Sequence, residues 1–231
     1  MSAGAEIKQE LPEKPVRKQQ QRSIRTQQKL LDAALEAFSE NGFKGTSTRD
    51  IAERAGVHHP LITYHFKNKE ELWRASADRI FTQFNKALRE AREASADLCP
   101  RTRMASMIRA YVRCSATQPA LHKVIVQEAS HPSSRLDWLV ERHLRPLSRE
   151  AVKELENVQR QGIAPDGDPA LLFNMIRASA GGLMALGLEL KGTSNIDLQK
   201  QDAVEALADM IIQVFLPNKA PDNWRELDRA R

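Results

Sequence analysis

Apolar residues recur at helical spacing along most of the chain, and no segment alternates apolar and polar positions long enough to predict a strand. The first stripe, Ile24, Leu31, Leu35 and Phe38, stops at Asn41-Gly42. A short second one, Ile51, Ala52 and Ala55, follows Ser47 as cap, with Asp50 three residues on completing an S-x-x-D capping box. Gly56 ends that helix, because left-handed backbone carries no Cβ penalty at glycine, and Val57 is expected to be the buried residue of the turn. A third helix begins at His58, takes Pro60 in its first turn and turns Ile62 and Phe66 inward. Lys69 opens a long helix with Leu72, Ile80, Phe84, Leu88 and Ala91 in step. Further helices are predicted over about 101–118, with Met104, Ile108, Tyr111 and Ser115 aligned, and from Pro119 through Val126. Another follows Ser133-Ser134, where Pro146 should bend or split it. Asp168-Pro169 opens a helix to about Lys191, and the last carries Val204, Leu207, Ile211, Val214 and Phe215. The fold class expected is all-α, with about nine helices.

Two short helices around a Gly turn, braced by a longer one upstream, have the organisation of a helix-turn-helix DNA reader. An ordinary αα-hairpin shares the caps and the turn, but lacks the bracing helix. The strings L-L-D-A-A-L-E-A-F-S-E-N-G-F, T-S-T-R-D-I-A-E-R-A-G-V and Y-H-F-K-N-K-E-E-L, in that order, resemble the amino-terminal domain of TetR-family transcriptional repressors. The resemblance runs from Ile24 to Trp73, under a quarter of the chain. It implies a DNA-reading domain followed by a larger helical body for ligand binding and dimerisation. It also implies that Ser47 and Thr48 reach phosphate and Arg49 phosphate or a base, while His59, Pro60 and Leu61 face the groove. Tyr64 and His65 match positions where the family carries aromatics. Thr63 departs from the family, which usually has Tyr there, and His58-His59 replace the Ser and Lys often found. Lys67 and Lys69, at the start of the next helix, lie where a phosphate would meet a helix N-terminus.

The chain has 231 residues and a formal net charge of +5. Residues 1–70 carry 12 Lys and Arg against 9 Asp and Glu, so the excess is modest and concentrated in Lys14, Arg17, Lys18, Arg22 and Arg25. A flexible basic arm is expected over 1–21, able to track phosphates or enter a minor groove, or to be a solvated tail. The remaining boundaries are a DNA-binding domain over 22–68, a regulatory and dimerisation domain over 69–216, and a tail over 217–231. The longest apolar run, Ala178 to Leu188, is 11 residues, short of the roughly 20 a membrane span requires. With no secretory h-region and only Cys99 and Cys114, a cytoplasmic location without membrane partners is expected.

No G-x-S-x-G, P-loop or G-x-G-x-x-G is present, and adjacent His58 and His59 point about 100° apart on a helix. No catalytic role, metal or cofactor is therefore expected. The partners expected are palindromic double-stranded DNA, a second copy of the chain and a small-molecule effector. A protein partner in place of the effector, or an activating role, remains an alternative. For the effector the candidates are Met104, Met107, Tyr111, Glu128, Trp138, His143, Met175 and Arg177. For the homodimer they are Gly181, Gly182, Ala185, Val204, Leu207 and Ile211, because small residues inside a helix favour close approach of another backbone. A crowded contact within one subunit is the competing explanation.

Overall fold

A computed structural model describes residues 15–217, the first four by backbone alone, and it is all-helical. The reader comprises α1 (Pro15–Gly45), α2 (Thr48–Ala55) and α3 (Pro60–His65). The body comprises α4 (Lys69–Ala94), α5 (Pro100–Thr117), α6 (Pro119–Ala129), α7 (Ser134–Leu139), α8 (Arg145–Arg160), α9 (Pro169–Ala185), α10 (Gly187–Ser194) and α11 (Gln201–Phe215). Two differences from the expected helices have local causes. The helix expected to reach Lys191 breaks at Leu186, where α9 and α10 meet at 78°. Pro146 does not split its helix; a π-helical turn, Val140–Leu144, widens the coil just before it, and Arg145 N–H bonds Val140 C=O.

Of the expected arm and tail, residues 1–14 and 218–231 lie outside the described residues, whereas Pro15–Gln21 form the first turns of α1 rather than an arm. The buried stripe of α1 is Leu30, Ala34, Ala37 and Phe38; Ile24 is exposed, and Leu31 and Leu35 are half-buried flanks. Gly42, at φ 68°, ends the regular coil of α1, and Thr46 Oγ1 donates back to Ala37 C=O at 3.0 Å. Val57 is only half-buried, against the same core.

Two apolar cores result. One joins α1, α2 and α3 to α4 from Leu72 to Leu88 and continues into the body through Leu121, Val124 and Leu139. The other lies among α5, α8, α9 and α11. Ion pairs clamp α11 onto α5: Arg113 forks Glu205 at 2.7 and 2.8 Å, and Arg109 meets Asp209 at 2.7 Å. Among the described residues no single helix is long and apolar enough to cross a membrane.

Candidate nucleic-acid interface and body cavity

The local chemistry that starts and stops α2 and α3 sets the reader's geometry. The Ser47 hydroxyl accepts from Asp50 N–H at 3.0 Å, while the Asp50 carboxylate pairs with Arg54, so only half of the capping box forms. Gly56 takes φ 63°, and its N–H and that of Val57 bond carbonyls of α2. Arg54 reaches Glu40 at 2.7 Å and ties α2 to α1. Pro60 occupies the first turn of α3, where no intrahelical N–H is lost.

Ser47, Arg49, His58, Pro60, Thr63, Tyr64 and Lys67 are exposed on this module. Tyr64 is 76% exposed and its ring stands edge-on to His65, 4.9 Å between centroids. Three of the residues expected to contact phosphate or base are engaged within the chain. Thr48 Oγ1 and His59 Nε2 lie 3.0 Å apart, which joins the start of α2 to the start of α3. Lys69 is half-buried, with its ammonium 4.4 Å from the Phe43 ring centroid; burial, aided by the charge of Arg135, lowers its pKa. Leu61 and His65 are half-buried against the module's edge.

In the body, Met104, Met107 and Tyr111 line a cavity of about 170 Å³ between α4, α5, α8 and α9, with Leu88, Ile108, Leu155, Val158, Phe173 and Ile176. Sequence spacing does not reveal its polar lining. Arg92 bridges Glu150 and Glu154 at 3.1 and 2.8 Å, Arg103 approaches Glu154 at 3.5 Å, and Arg89 has no ion pair among the described residues. Asn85, also in the wall, has a buried Oδ1 with no hydrogen-bond partner among the described residues. Burial raises the Tyr111 pKa.

The other expected ligand contacts lie elsewhere. Arg177 borders a neighbouring groove with Phe173 and Leu147. Glu128 is 7% exposed and is bound by Arg135 at 3.1 Å. Trp138 and His143 pack on α4, Trp138 edge-on to Trp73 and His143 stacked on Phe81 at 4.9 Å with Nε2 3.2 Å from Asp78. Met175 is exposed on the outer face of α9.

Three of the expected dimer residues belong to the protomer's own interior. Val204 and Ile211 are buried in its second core, and Gly181 lies beneath His122, where a Cβ would stand 2.4 Å from Nδ1. The glycine at 181 is thus explained within one subunit. Leu207 and Ala185 are half-buried, and a Cβ at Gly182 would meet nothing within 4 Å. The large apolar residues left open here are Leu171 and Met175 on α9, Leu186 just past its end, and Met210 and Val214 on α11.

A fold in which a capped helix-turn-helix shares its core with a larger helical body defines a class of transcription regulators, and comparison identifies the family. Residues 30–75 match the family model described as bacterial regulatory proteins, tetR family. The chain is 30% identical to the HTH-type transcriptional regulator RutR of Escherichia coli over 150 residues, covering 65% of this chain and 69% of that protein. It is 38% identical over 56 residues to the biofilm operon icaADBC negative transcriptional regulator IcaR of Staphylococcus epidermidis, 24% of this chain and 30% of IcaR, so the chain spans under a third of that relative's length. The fold is similar to FadR of Bacillus subtilis in complex with stearoyl-CoA, with a TM-score of 0.61, 21% identity, and coverage of 83% of this chain and 98% of that one. The chain belongs to the tetR family. It is a DNA-binding transcriptional regulator.

Proposed function

We propose that this regulator binds a palindromic operator as a homodimer, represses transcription, and releases DNA when a largely apolar molecule with an anionic head enters the body cavity. The observation that carries the reading is the course of α4. Its first turn follows the recognition helix directly, and its far end, Asn85 to Arg92, forms a wall of the cavity. A rigid helix shared by both sites converts displacement at one into reorientation at the other.

The cavity's lining favours such an effector over a protein partner. Aliphatic and aromatic side chains enclose most of it, and three arginines outnumber two glutamates at its polar edge. Its size is below the roughly 300–1,000 Å³ that holds a drug-sized molecule, so an occupant must spread the surrounding helices, which is how binding energy reaches α4. The FadR of Bacillus subtilis was solved with stearoyl-CoA, an acyl chain with an anionic head, and fatty acyl thioesters are the first candidates. The dimer is assigned to the outer faces of α9 and α11, where Leu171, Met175, Gly182 and Leu186 recur at helical spacing beside Met210 and Val214.

The test is a titration of acyl thioesters with and without operator DNA. Release of DNA by 100-fold requires about 2.7 kcal/mol of coupling, and by reciprocity operator must weaken the ligand by the same factor. Equal ligand affinity in both titrations would exclude the mechanism.

A further inference from the structure

Residues 19–29 of α1 add no buried side chain to the reader that the helix braces. From Gln19 onward Leu30 is the first residue of the helix to be fully buried, and Arg22, Arg25 and Lys29 before it are exposed. Spacings of three and four place these cations on one face of the helix. Not one Asp or Glu occurs from Pro15 to Leu31, and none of the three cations has an ion pair among the described residues. The opposite end of α1 is fixed to the body: Gln127 Nε2 donates to Ser39 C=O at 3.1 Å, and Arg135 covers Phe43. Since α1 rises about 1.5 Å per residue, Arg22 stands about 25 Å from that attachment and about 15 Å beyond Asp32, which pairs with Arg79 of α4.

We infer that this basic rod lies along the phosphate backbone of duplex DNA flanking the site the reader occupies. The inference rests on the DNA-binding assignment and adds a second surface to it. Being a helix, the rod cannot act as a threaded arm. Its diameter of about 10–12 Å exceeds the roughly 6 Å width of a minor groove, and with the reader's α3 assigned to the major groove its cations meet the flanking phosphates from outside. A lipid headgroup would offer phosphate as well, but Ile24 is the only large apolar residue exposed between Gln19 and Lys29, too little for an interfacial helix to bury. Duplex DNA is the polyanion that fits.

The experiment compares the full-length protein with the triple variant R22Q/R25Q/K29Q, whose changes leave the core untouched. Each lost phosphate contact lowers the slope of log affinity against log salt by about 0.9, so a fall of about 2.7 per protomer is expected, with K29Q alone giving a third of it. The preferred bases in a selection should be unchanged. Wild type should gain affinity as the duplex is lengthened by about six base pairs beyond each flank, and the triple variant should not. An unchanged slope with no dependence on duplex length would overturn the proposal, as would an altered base preference. Loss of binding to phosphatidylserine-containing vesicles with DNA binding intact would assign the rod to membranes instead. Failure of the wild type to bind any duplex would overturn the DNA-binding assignment itself, a result distinct from either.

Discussion

The guanidinium of Arg135 lies 3.9 Å from the centroid of the Phe43 ring while its Nε donates to Glu128 at 3.1 Å. One side chain of α7 thereby holds the end of α1 to α6, and its Nη1 also approaches Glu70 in the first turn of α4 at 3.5 Å. Reader and body are joined through this residue at three elements. Arg135→Ala strands the buried Glu128 carboxylate and uncovers Phe43, with an expected cost of about 3 kcal/mol. Arg135→Lys should recover only part, because an ammonium cannot fork a carboxylate and stack on a ring together. Chemical denaturation of the three proteins checks this; equal midpoints for wild type and Arg135→Ala would refute it.

Gly181 and His122 form a second obligate pair. A methyl at 181 would fall 2.4 Å from Nδ1, inside van der Waals contact, so Gly181→Ala should destabilise by about 1–3 kcal/mol through overpacking. Truncating the partner makes room, and in the Gly181→Ala, His122→Ala double variant the loss from the added methyl should largely vanish. Additive losses in that cycle would show that the two sites do not touch.

His122 also predicts a pH dependence. It is 4% exposed, and burial, with a smaller effect from the Arg177 charge, pushes its pKa down to about 4. The folded value lies below the unfolded one of about 6.5, so the unfolded chain takes up the proton first as pH falls. The stabilisation is full above about pH 6.5 and is lost progressively towards pH 4, reaching about 2 kcal/mol at pH 5. His122→Gln should flatten that part of the stability curve relative to wild type. Parallel curves would place the titration elsewhere.

At the reader, Thr63 and Tyr64 have exposed side chains without hydrogen bonds among the described residues. Substituting either should change the bases preferred at a few symmetric positions, by about 1–3 kcal/mol per mismatched pair, without changing stability. Lys67→Ala should instead weaken all sequences alike and lower the salt slope by about 0.9 per protomer. Selections and salt titrations separate the two, and an identical selected motif for the Tyr64 variant would remove it from the readers.

For the dimer, Met175→Asp or Gly182→Trp alters the open face of α9 and no buried contact. Sedimentation should show folded monomers with operator affinity reduced by orders of magnitude. A variant that stays dimeric would move the interface off this face.

The parts legible in the sequence are those fixed by neighbours in the chain. The Ser47 cap, the left-handed Gly56 and Pro60 at the start of α3 each depend on bonds within four residues, and each stands where spacing placed it. The cavity is different. Its wall combines Arg89 and Arg92, Met104 and Met107, Glu154 and Phe173, from four helices, and helical periodicity cannot say which faces meet. Nor can it separate causes of one composition: Gly181 makes room for His122, Gly182 is open, and Gly187 begins a helix after a sharp bend. Met, Trp and His in step with a stripe similarly gave core packing at Trp138 and His143 but cavity wall at Met104.

The basic end of α1 is a lever beyond Asp32, where the ion pair with Arg79 ties the helix to α4. With Arg22 about 15 Å from that pivot, a rotation of about 8° at the body swings the basic end by about 2 Å. That distance exceeds the tolerance of a hydrogen-bonded phosphate contact. An adjustment at the body too slight to alter the reader's own packing is thereby magnified where the chain meets the flanking backbone, so the grip outside the operator should slip before the grip inside it.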